Sequence, residues 1–284
     1  MAPVPEPAAG AWAASLVATL GRAGVERFVI SPGSRSTPLA VAAARQRGAR
    51  CVVAHDERAA GFYAAGYGRA AGRPAALICT SGTAVANYLP AVIEASQADV
   101  PLIVLSADRP PELRATGANQ TIDQPDLFGR YVRWRFDLPC PGPDTPPDTA
   151  AHAAAAAVAH AVAPPAGPVH LNCMFREPLA PGDRCVPGAA RPALYTRADV
   201  MPPEADVAAL AERLGTARTG VLAVGPLRGR EERDAAAALA RALRWPVFAD
   251  AASGLRADSI PGLIPFFDLA LLPSGAAGRL APEV

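Results

Sequence analysis

The stretch Val53-Ala-His-Asp-Glu57-Arg-Ala-Ala-Gly61-Phe-Tyr-Ala-Ala-Gly66-Tyr-Gly68 decides the fold class of this chain. The apolar residues Cys51 to Ala54 predict a short buried strand, and Glu57 opens an Ala- and Gly-rich helix. A carboxylate at such a junction lies where open α/β sheets bind their ligands. Taken alone, Glu57 is better interpreted as an ordinary first-turn acid. The glycines favour a ligand or a close backbone, because each weakens the helix by up to about 1 kcal/mol relative to Ala.

Short apolar strands, each followed by a small polar loop and a helix, continue on both sides of this stretch. We predict strands at 27–30, 51–54, 75–79, 102–105 and 168–171, with helices at 11–20, 37–46, 84–95 and 151–162. Residues 131–138 alternate as an edge strand does. Repeated βα units of this kind predict an α/β fold, a doubly wound and mainly parallel sheet with helices on both faces.

The length of 284 residues suits roughly two domains. We predict an N-terminal domain at 1–180 and a linker at 181–203, which is rich in Pro, Gly, Asp and Arg. Residues 204–284 then begin a second α/β domain, with helices at 204–214 and 233–243 and strands at 220–224 and 246–249. Few elements follow, so we expect this second domain to be incomplete.

Composition excludes several classes of protein. Apolar residues make up 51%, charged residues 19%, and the net charge is +1, so nucleic-acid binding is not indicated. No apolar run approaches the roughly 18 residues of a membrane span, and the N-terminus lacks a basic signal segment, so we expect a cytoplasmic protein. The chain has no lysine, which excludes Schiff-base chemistry and a Walker A lysine. Its five cysteines and four histidines show no metal-ligand spacing, so we predict reduced thiols and no metal site.

Residues that could bind a ligand or transfer a proton follow the predicted strand ends. They are Ser34, Arg35, Glu57, Gly82, Thr83, Arg109, Asn119 and Gln120, the last two in a long polar loop at 113–128. Two arginines and two amides facing one cleft suit a substrate with several carboxylates, and a nearby Glu can donate or accept a proton. The alternative is that the arginines are solvated and the amides bond within their own loop. The coincidence of all of them along one sheet edge favours a site.

Five of these segments together resemble one enzyme family. They are Phe28-Val-Ile-Ser-Pro-Gly-Ser-Arg-Ser-Thr-Pro-Leu39, His55-Asp-Glu-Arg-Ala-Ala-Gly-Phe62, Cys79-Thr-Ser-Gly-Thr-Ala84, Leu105-Ser-Ala-Asp-Arg-Pro-Pro-Glu-Leu113 and Gly117-Ala-Asn-Gln-Thr-Ile122. The family is the 2-succinyl-5-enolpyruvyl-6-hydroxy-3-cyclohexene-1-carboxylate synthases of menaquinone biosynthesis, which are thiamine-diphosphate enzymes. The resemblance runs from about residue 11 to about residue 256, with the order and spacing of the segments intact.

The resemblance implies a role for each matching residue. Glu57 resembles the glutamate that activates the cofactor through a hydrogen bond to N1′ of its aminopyrimidine, and Gly82 and Thr83 resemble the turn beside that ring. The residues that resemble the isochorismate-binding set are Ser34, Arg35, Arg109, Asn119 and Gln120. The implied reaction decarboxylates 2-oxoglutarate on thiamine diphosphate and adds the carbanion to isochorismate. The family also uses Mg²⁺, and a homodimer or homotetramer is expected.

One departure from the family leaves alternatives open. Family members are longer and bind Mg²⁺ and the diphosphate in a further domain, marked by Gly-Asp-Gly, which this sequence lacks. Gly182-Asp183-Arg184 in the linker has no second glycine. The chain therefore resembles the pyrimidine-binding domain and part of the central domain, without the diphosphate-binding domain. It is either part of such an enzyme, or a non-catalytic relic or subunit that needs a partner, or another thiamine-diphosphate enzyme of the acetolactate-synthase type.

Overall fold

The chain forms two compact units, Met1–Thr196 and Arg197–Val284. The structure, a computed structural model, describes residues 8–143, 145–146, 148–180, 194–196, 198 and 200–271. Most of the linker predicted at 181–203, including Gly182-Asp183-Arg184, lies outside the described residues. The domain limits at 180 and 204 therefore remain predictions.

A single parallel sheet forms the centre of the first unit. Its strands are β1 (Arg27–Ile30), β2 (Arg50–Val53), β3 (Ala75–Cys79), β4 (Leu102–Asp108), β5 (Trp134–Leu138) and β6 (Pro168–Met174). Its helices are α1 (Ala8–Arg22), α2 (Thr37–Arg45), α3 (Glu57–Ala71), α4 (Thr83–Ala86), α5 (Leu89–Gln97) and α6 (Thr149–Val162). The strand order is β2-β1-β3-β4-β6-β5, and every pairing is parallel.

Helices cover both faces of this sheet. Phe28 and Ile30 of β1 point into a core built with α1, α2 and α6, whereas Val29 points into a second core built with α3 and α5. Burial on both faces explains the apolar runs of β1 and β3, whereas the edge strands β2 and β5 are largely exposed. Helices on both faces confirm the predicted doubly wound α/β fold. The chain runs from β1 outward to β2 and then returns to β3 on the other side of β1. This reversal is the topological switch point at which such sheets bind ligands.

Three local predictions differ from the structure. The prediction of a buried strand at 51–54 is wrong, because β2 lies at the edge of the sheet and Val53 is 60% exposed. The single helix predicted at 84–95 is wrong, because α4 ends at Ala86 and α5 begins at Leu89. Pro90 has no backbone N–H to continue the hydrogen bonding of the preceding turn, which accounts for the break. Strands β4 and β6 each run three residues beyond the predicted ends at 105 and 171. Three of the added residues, Ser106, Asp108 and Asn172, are polar yet buried, and the side chain of Asn172 bonds to those of the other two.

Two glycines of α3 offer a matched test of their packing. A Cβ on Gly68 would lie 2.6 Å from the Pro101 carbonyl oxygen, whereas a Cβ on Gly66 would meet nothing within 4 Å. We expect Gly68→Ala to lower the free energy of unfolding by about 1–3 kcal/mol, since the contact is with backbone. Gly66→Ala should raise it by up to about 1 kcal/mol in this chain. Urea unfolding of both variants measures this, and equal effects of the two substitutions would contradict it.

The second unit is a smaller α/β arrangement. It contains α7 (Glu204–Thr216), β7 (Leu222–Val224), α8 (Gly229–Leu243), β8 (Val247–Ala249) and α9 (Phe267–Ala270). Strands β7 and β8 pair in parallel, and Ala237 and Ala240 of α8 pack on Val247 and Leu255. The helix–strand–helix–strand order agrees with the sequence prediction. Across the described residues of both units, no helix is long and apolar enough to cross a membrane.

Candidate cofactor and substrate site

The predicted site residues lie at one edge of the six-stranded sheet. Because all of its strands are parallel, the loops after β1, β2, β3 and β4 leave the sheet at the same carboxyl edge. These loops place Arg35 after β1, Glu57 after β2, Gly82 after β3 and Arg109 after β4. The positions are those that the sequence predicted, and the chemical roles remain predictions.

Glu57 is held at the first turn of α3. Its neighbour Asp56 caps the helix, and Asp56 Oδ1 accepts a hydrogen bond from the Ala59 N–H at 2.7 Å. Burial raises the pKa of the Cys79 thiol and of the Tyr88 phenol, and the nearby negative charge of Glu57 adds to both shifts. The half-buried Glu57 carboxylate therefore lies near the end of β3, although it follows β2 in the sequence.

The turn after β3 is fixed by contacts from two other loops. Gly82 has a φ of +83°, and a Cβ there would lie 2.9 Å from Gln120 Cγ. Gln120 Nε2 donates to the Ser81 carbonyl at 3.0 Å, so Gln120 is seated directly on this turn. On the other side, a Cβ on Gly33 would lie 2.3 Å from the Thr80 Cβ. Glycine at 33 and 82 is therefore what allows the three loops to meet at the switch point.

Arg35 and Arg109 are close to each other and incompletely paired. Arg35 is buried, and its Nη1 donates to the Phe175 carbonyl at 3.0 Å, while its Nη2 lies 3.5 Å from Glu177 Oε1. Arg35 Nε and Arg109 Nη1 are buried atoms without a hydrogen-bond partner in the described part of the chain. Burial lowers the pKa of Arg109, and the positive charge of Arg35 lowers it further. Buried nitrogens without partners and a lowered arginine pKa are not expected of arginines that are simply solvated at the surface. They suit a site that binds an anion.

The remaining predicted residues are exposed. The Ser34 carbonyl accepts a hydrogen bond from Thr37 Oγ1 at 2.7 Å, and the Asn119 carbonyl accepts one from Thr121 Oγ1 at 3.4 Å. Thr83 begins α4, and its carbonyl accepts from Asn87 Nδ2 at 3.0 Å. The structure thus brings Gln120 onto Gly82 and Arg35 towards Arg109, whereas Ser34, Thr83 and Asn119 border the same edge from the solvent side.

A polar network beneath this edge, buried except at Arg114 and Asp137, was not predicted from the sequence. It is formed by Ser106, Asp108, Arg114, Gln124, Asp137, His170 and Asn172. Ser106 and Asp108 are two residues apart on β4, and His170 and Asn172 are two apart on β6, so each pair faces one side of the sheet. Polar residues at alternate positions of two otherwise apolar strands were the signal that could have revealed it.

His170 gives this network a pH dependence. Burial lowers the pKa of His170 from 6.5 to about 3, and its Nε2 lies 2.7 Å from Ser106 Oγ. Between those two pKa values the unfolded chain binds a proton that the folded chain does not, so stability falls as pH drops from about 6.5. His170→Gln keeps a hydrogen-bonding partner for Ser106 and does not titrate.

We therefore expect the free energy of unfolding to fall more steeply between pH 7 and pH 5 in the parent chain than in His170→Gln. The difference in slope should approach about 1.4 kcal/mol per pH unit at the acidic end. Urea unfolding at three pH values measures both slopes. Parallel profiles would show that His170 is not the titrating group.

The sequence of this chain is similar to those of thiamine-diphosphate-dependent proteins. Residues 11–127 match the family described as the thiamine pyrophosphate enzyme, N-terminal TPP binding domain. The 2-succinyl-5-enolpyruvyl-6-hydroxy-3-cyclohexene-1-carboxylate synthase of Rubrobacter xylanophilus is 50% identical over 280 residues, which are 96% of this chain and 49% of that protein. The synthase of Geobacillus kaustophilus is 45% identical over 282 residues, with the same coverage of 96% and 49%.

Solved structures agree on the fold. A putative thiamin diphosphate-dependent enzyme from Mycobacterium smegmatis has a TM-score of 0.64 at 24% identity, covering 84% of this chain and 44% of that one. The thiamine diphosphate-dependent 4-hydroxybenzoylformate decarboxylase of Rhodococcus jostii RHA1 also has a TM-score of 0.64, at 19% identity, with the same coverage. The chain spans about half the length of the curated relatives it matches. Over that half the chain is a homologue of the 2-succinyl-5-enolpyruvyl-6-hydroxy-3-cyclohexene-1-carboxylate synthases, and its residues 11–127 match the N-terminal domain of thiamine pyrophosphate enzymes.

Proposed function

We propose that this chain is the pyrimidine-binding part of a synthase that decarboxylates 2-oxoglutarate and adds the carbanion to isochorismate. The product is 2-succinyl-5-enolpyruvyl-6-hydroxy-3-cyclohexene-1-carboxylate, an intermediate of menaquinone biosynthesis. The observation that carries the proposal is the pair Arg35 and Arg109, whose buried, unpartnered donors lie on the same sheet edge as Glu57 and Gly82. The identity of 50% to a synthase supports it.

The residues of the edge fit the pyrimidine half of thiamine diphosphate. Ser81 Oγ, which belongs to the turn at Gly82, is buried without a hydrogen-bond partner in the described part of the chain. Glu57 offers a carboxyl group that can hold a proton at the aminopyrimidine N1′. When bound, thiamine diphosphate supplies the nucleophilic carbon and accepts the electrons released by decarboxylation. We assign Gly82 and Thr83 to contacts with the ring and Glu57 to the proton.

The diphosphate and Mg²⁺ are proposed to be held by residues outside this chain. Among the described residues, no group of three His, Cys, Asp or Glu side chains could hold a metal ion. Magnesium needs oxygen ligands together with phosphate, and the sequence has no Gly-Asp-Gly segment to supply them. The residues present fit one half of the cofactor only.

The two arginines are proposed to bind substrate carboxylates. A guanidinium pairs with a carboxylate through two parallel hydrogen bonds, and both arginines have donors to spare. An anion between Arg35 and Arg109 would also relieve the repulsion that lowers the pKa of Arg109. Ser34, Asn119 and Gln120 border this position and are assigned to the hydroxyl and carboxylate groups of isochorismate.

A homodimer or homotetramer is proposed for the longer protein, in the cytoplasm. In this chain Phe62 and Tyr63 of α3 are each 46% exposed, and Val53 at the end of β2 is 60% exposed. Gly66 on the same helix faces open space. Exposed apolar side chains around the Glu57 helix suit a surface that another subunit covers.

The test uses a chimera in which this chain is joined to the half of the Rubrobacter xylanophilus synthase that it does not match. We expect the chimera, with Mg²⁺ and thiamine diphosphate, to form the product from 2-oxoglutarate and isochorismate. Arg109→Met should lower kcat/KM for isochorismate roughly 10²-fold, since it removes a buried charge from an ion pair. Arg130→Met, a change at an exposed arginine, is the matched control. A chimera that is active with pyruvate in place of these substrates would overturn the proposal.

A further inference from the structure

A continuous chain of four hydrogen bonds joins the Gly82 turn to Arg109. The Gly82 N–H donates to Gln124 Oε1 at 2.7 Å, and Gln124 Nε2 donates to Asn172 Oδ1 at 2.9 Å. Asn172 Nδ2 donates to Asp108 Oδ2 at 2.9 Å, and Asp108 Oδ1 accepts from the Arg109 N–H at 2.7 Å. This series of hydrogen bonds begins at the backbone of Gly82, on the proposed cofactor side, and ends at the backbone of Arg109, on the proposed substrate side.

The orientation of Gln124 is fixed by its partners. The Gly82 N–H can only donate and the Ala107 carbonyl can only accept, and Gln124 Nε2 donates to that carbonyl at 3.1 Å. Exchanging the amide oxygen and nitrogen of Gln124 would therefore set two donors together and two acceptors together. One side chain of this length, with one donor group and one acceptor group, meets both requirements.

Asn172 is fixed in the same way. Its Nδ2 donates to the carboxylates of Asp108 and Asp137, at 2.9 and 2.8 Å, so its Oδ1 must face the donors. Ser106 Oγ donates to that Oδ1 at 2.9 Å. An exchange of the amide atoms of Asn172 would place its oxygen against two carboxylates, which is electrostatically unfavourable.

Burial makes this network sensitive to the loss of any member. Gln124 and Asp108 are 0% exposed and Asn172 is 1% exposed. Unpaired polar groups cost more free energy inside a protein than in water, so the surrounding backbone must shift when a partner is removed. Arg114 adds a second support, since its guanidinium donates to Asp108 at 2.8 Å and to Asp137 at 2.9 Å.

We propose that Gln124 and Asn172 are positioning residues, which set the Gly82 turn and the Arg109 backbone at a fixed separation so that cofactor and substrate meet. The significance of that separation rests on the proposed function. The hydrogen-bonded coupling itself is a property of this chain and can be measured without cofactor or substrate.

Amide hydrogen exchange in the 284-residue chain tests the coupling. Gln124→Met removes the acceptor of the Gly82 N–H and keeps the length of the side chain, so exchange at Gly82 should become roughly tenfold faster. Asn172→Leu should accelerate exchange at Gly82 as well, although Asn172 does not touch Gly82. Each rate is compared with that of the Leu77 amide in β3, which reports the stability of the sheet as a whole.

A matched control separates positioning from a general loss of stability. Arg133 makes hydrogen bonds to Ser96, Asp99 and Ala166 at the opposite, amino edge of the sheet. Arg133→Met should change exchange at Gly82 and Leu77 by the same factor.

The proposal is overturned if Gly82 exchange in Asn172→Leu follows Leu77, or if Arg133→Met accelerates Gly82 selectively. Because the readout needs no ligand, it can succeed while the chimera fails to use isochorismate. That outcome would contradict the proposed substrates and leave the coupling intact.

Discussion

Glu57→Gln should lower the turnover of the chimera by roughly 10²- to 10⁴-fold, the range typical of losing a general acid–base group. Glutamine keeps the shape of the side chain and can still form a hydrogen bond, but it cannot pass a proton to the cofactor ring. The α3 start is set by the Asp56 cap and not by Glu57, so the variant should fold normally. Steady-state kinetics with 2-oxoglutarate and isochorismate measure the loss.

Glu94→Gln is the matched control for this change. Glu94 lies on α5 and is exposed, so the same chemical substitution there should leave turnover unaltered. Comparable unfolding curves for the two variants exclude a difference in stability. Near-normal turnover in Glu57→Gln would remove this carboxylate from the mechanism.

The 284-residue chain by itself should bind thiamine diphosphate weakly and make no product. The pyrimidine side offers a few hydrogen bonds, each contributing about 0.5–1.5 kcal/mol net. Immobilising a ligand costs roughly 4–15 kcal/mol, which such contacts do not offset without the diphosphate and its metal ion. Calorimetric titration with Mg²⁺ and thiamine diphosphate measures the affinity, and micromolar binding by the pure chain would contradict this expectation.

A second experiment distinguishes a chain that works as a separate subunit from a chain that works only as part of a longer polypeptide. The unmatched half of the Rubrobacter xylanophilus synthase is added as a separate polypeptide, with Mg²⁺, thiamine diphosphate and both substrates. Product formation would favour a subunit that works with a partner. Failure of the separate halves, alongside an active covalent chimera, would favour a chain that functions only within a longer polypeptide.

The strand ends were the part of the fold that sequence reasoning placed best. Strands β1 and β3 have the predicted limits, because each apolar run stops at a polar, glycine-containing loop. Strands β4 and β6 were predicted too short, since Ser106 and Asn172 look like loop residues when their strands are considered one at a time. Their polar groups are satisfied across the sheet, by partners that are distant in the sequence.

The candidate site, like the strands, could be predicted from the sequence only in part. Parallel strands bring their carboxyl ends to one edge, so the positions of Arg35, Glu57, Gly82 and Arg109 followed from the strand pattern alone. That Gln120 is seated on Gly82 was not predictable, because it depends on how a long irregular loop folds back. Local periodicity carries no information about such a contact between loops. The glycines of α3 were interpreted correctly as close contacts at Gly61 and Gly68, which approach Ala91 and Pro101, whereas a Cβ on Gly66 would meet nothing within 4 Å in this chain.

The most direct test of the role of Glu57 is the rate of proton exchange at the thiazolium C2 of thiamine diphosphate bound to the chimera. This rate depends on activation of the cofactor by the protein and needs no substrate, so it isolates the role assigned to Glu57. Quenched-flow deuterium exchange, read by NMR, compares the parent chimera with Glu57→Gln and Glu94→Gln. We predict that Glu57→Gln slows C2 exchange roughly 10²-fold or more while Glu94→Gln does not change it. Equal exchange rates in all three proteins would contradict the assignment of Glu57 as the cofactor-activating residue.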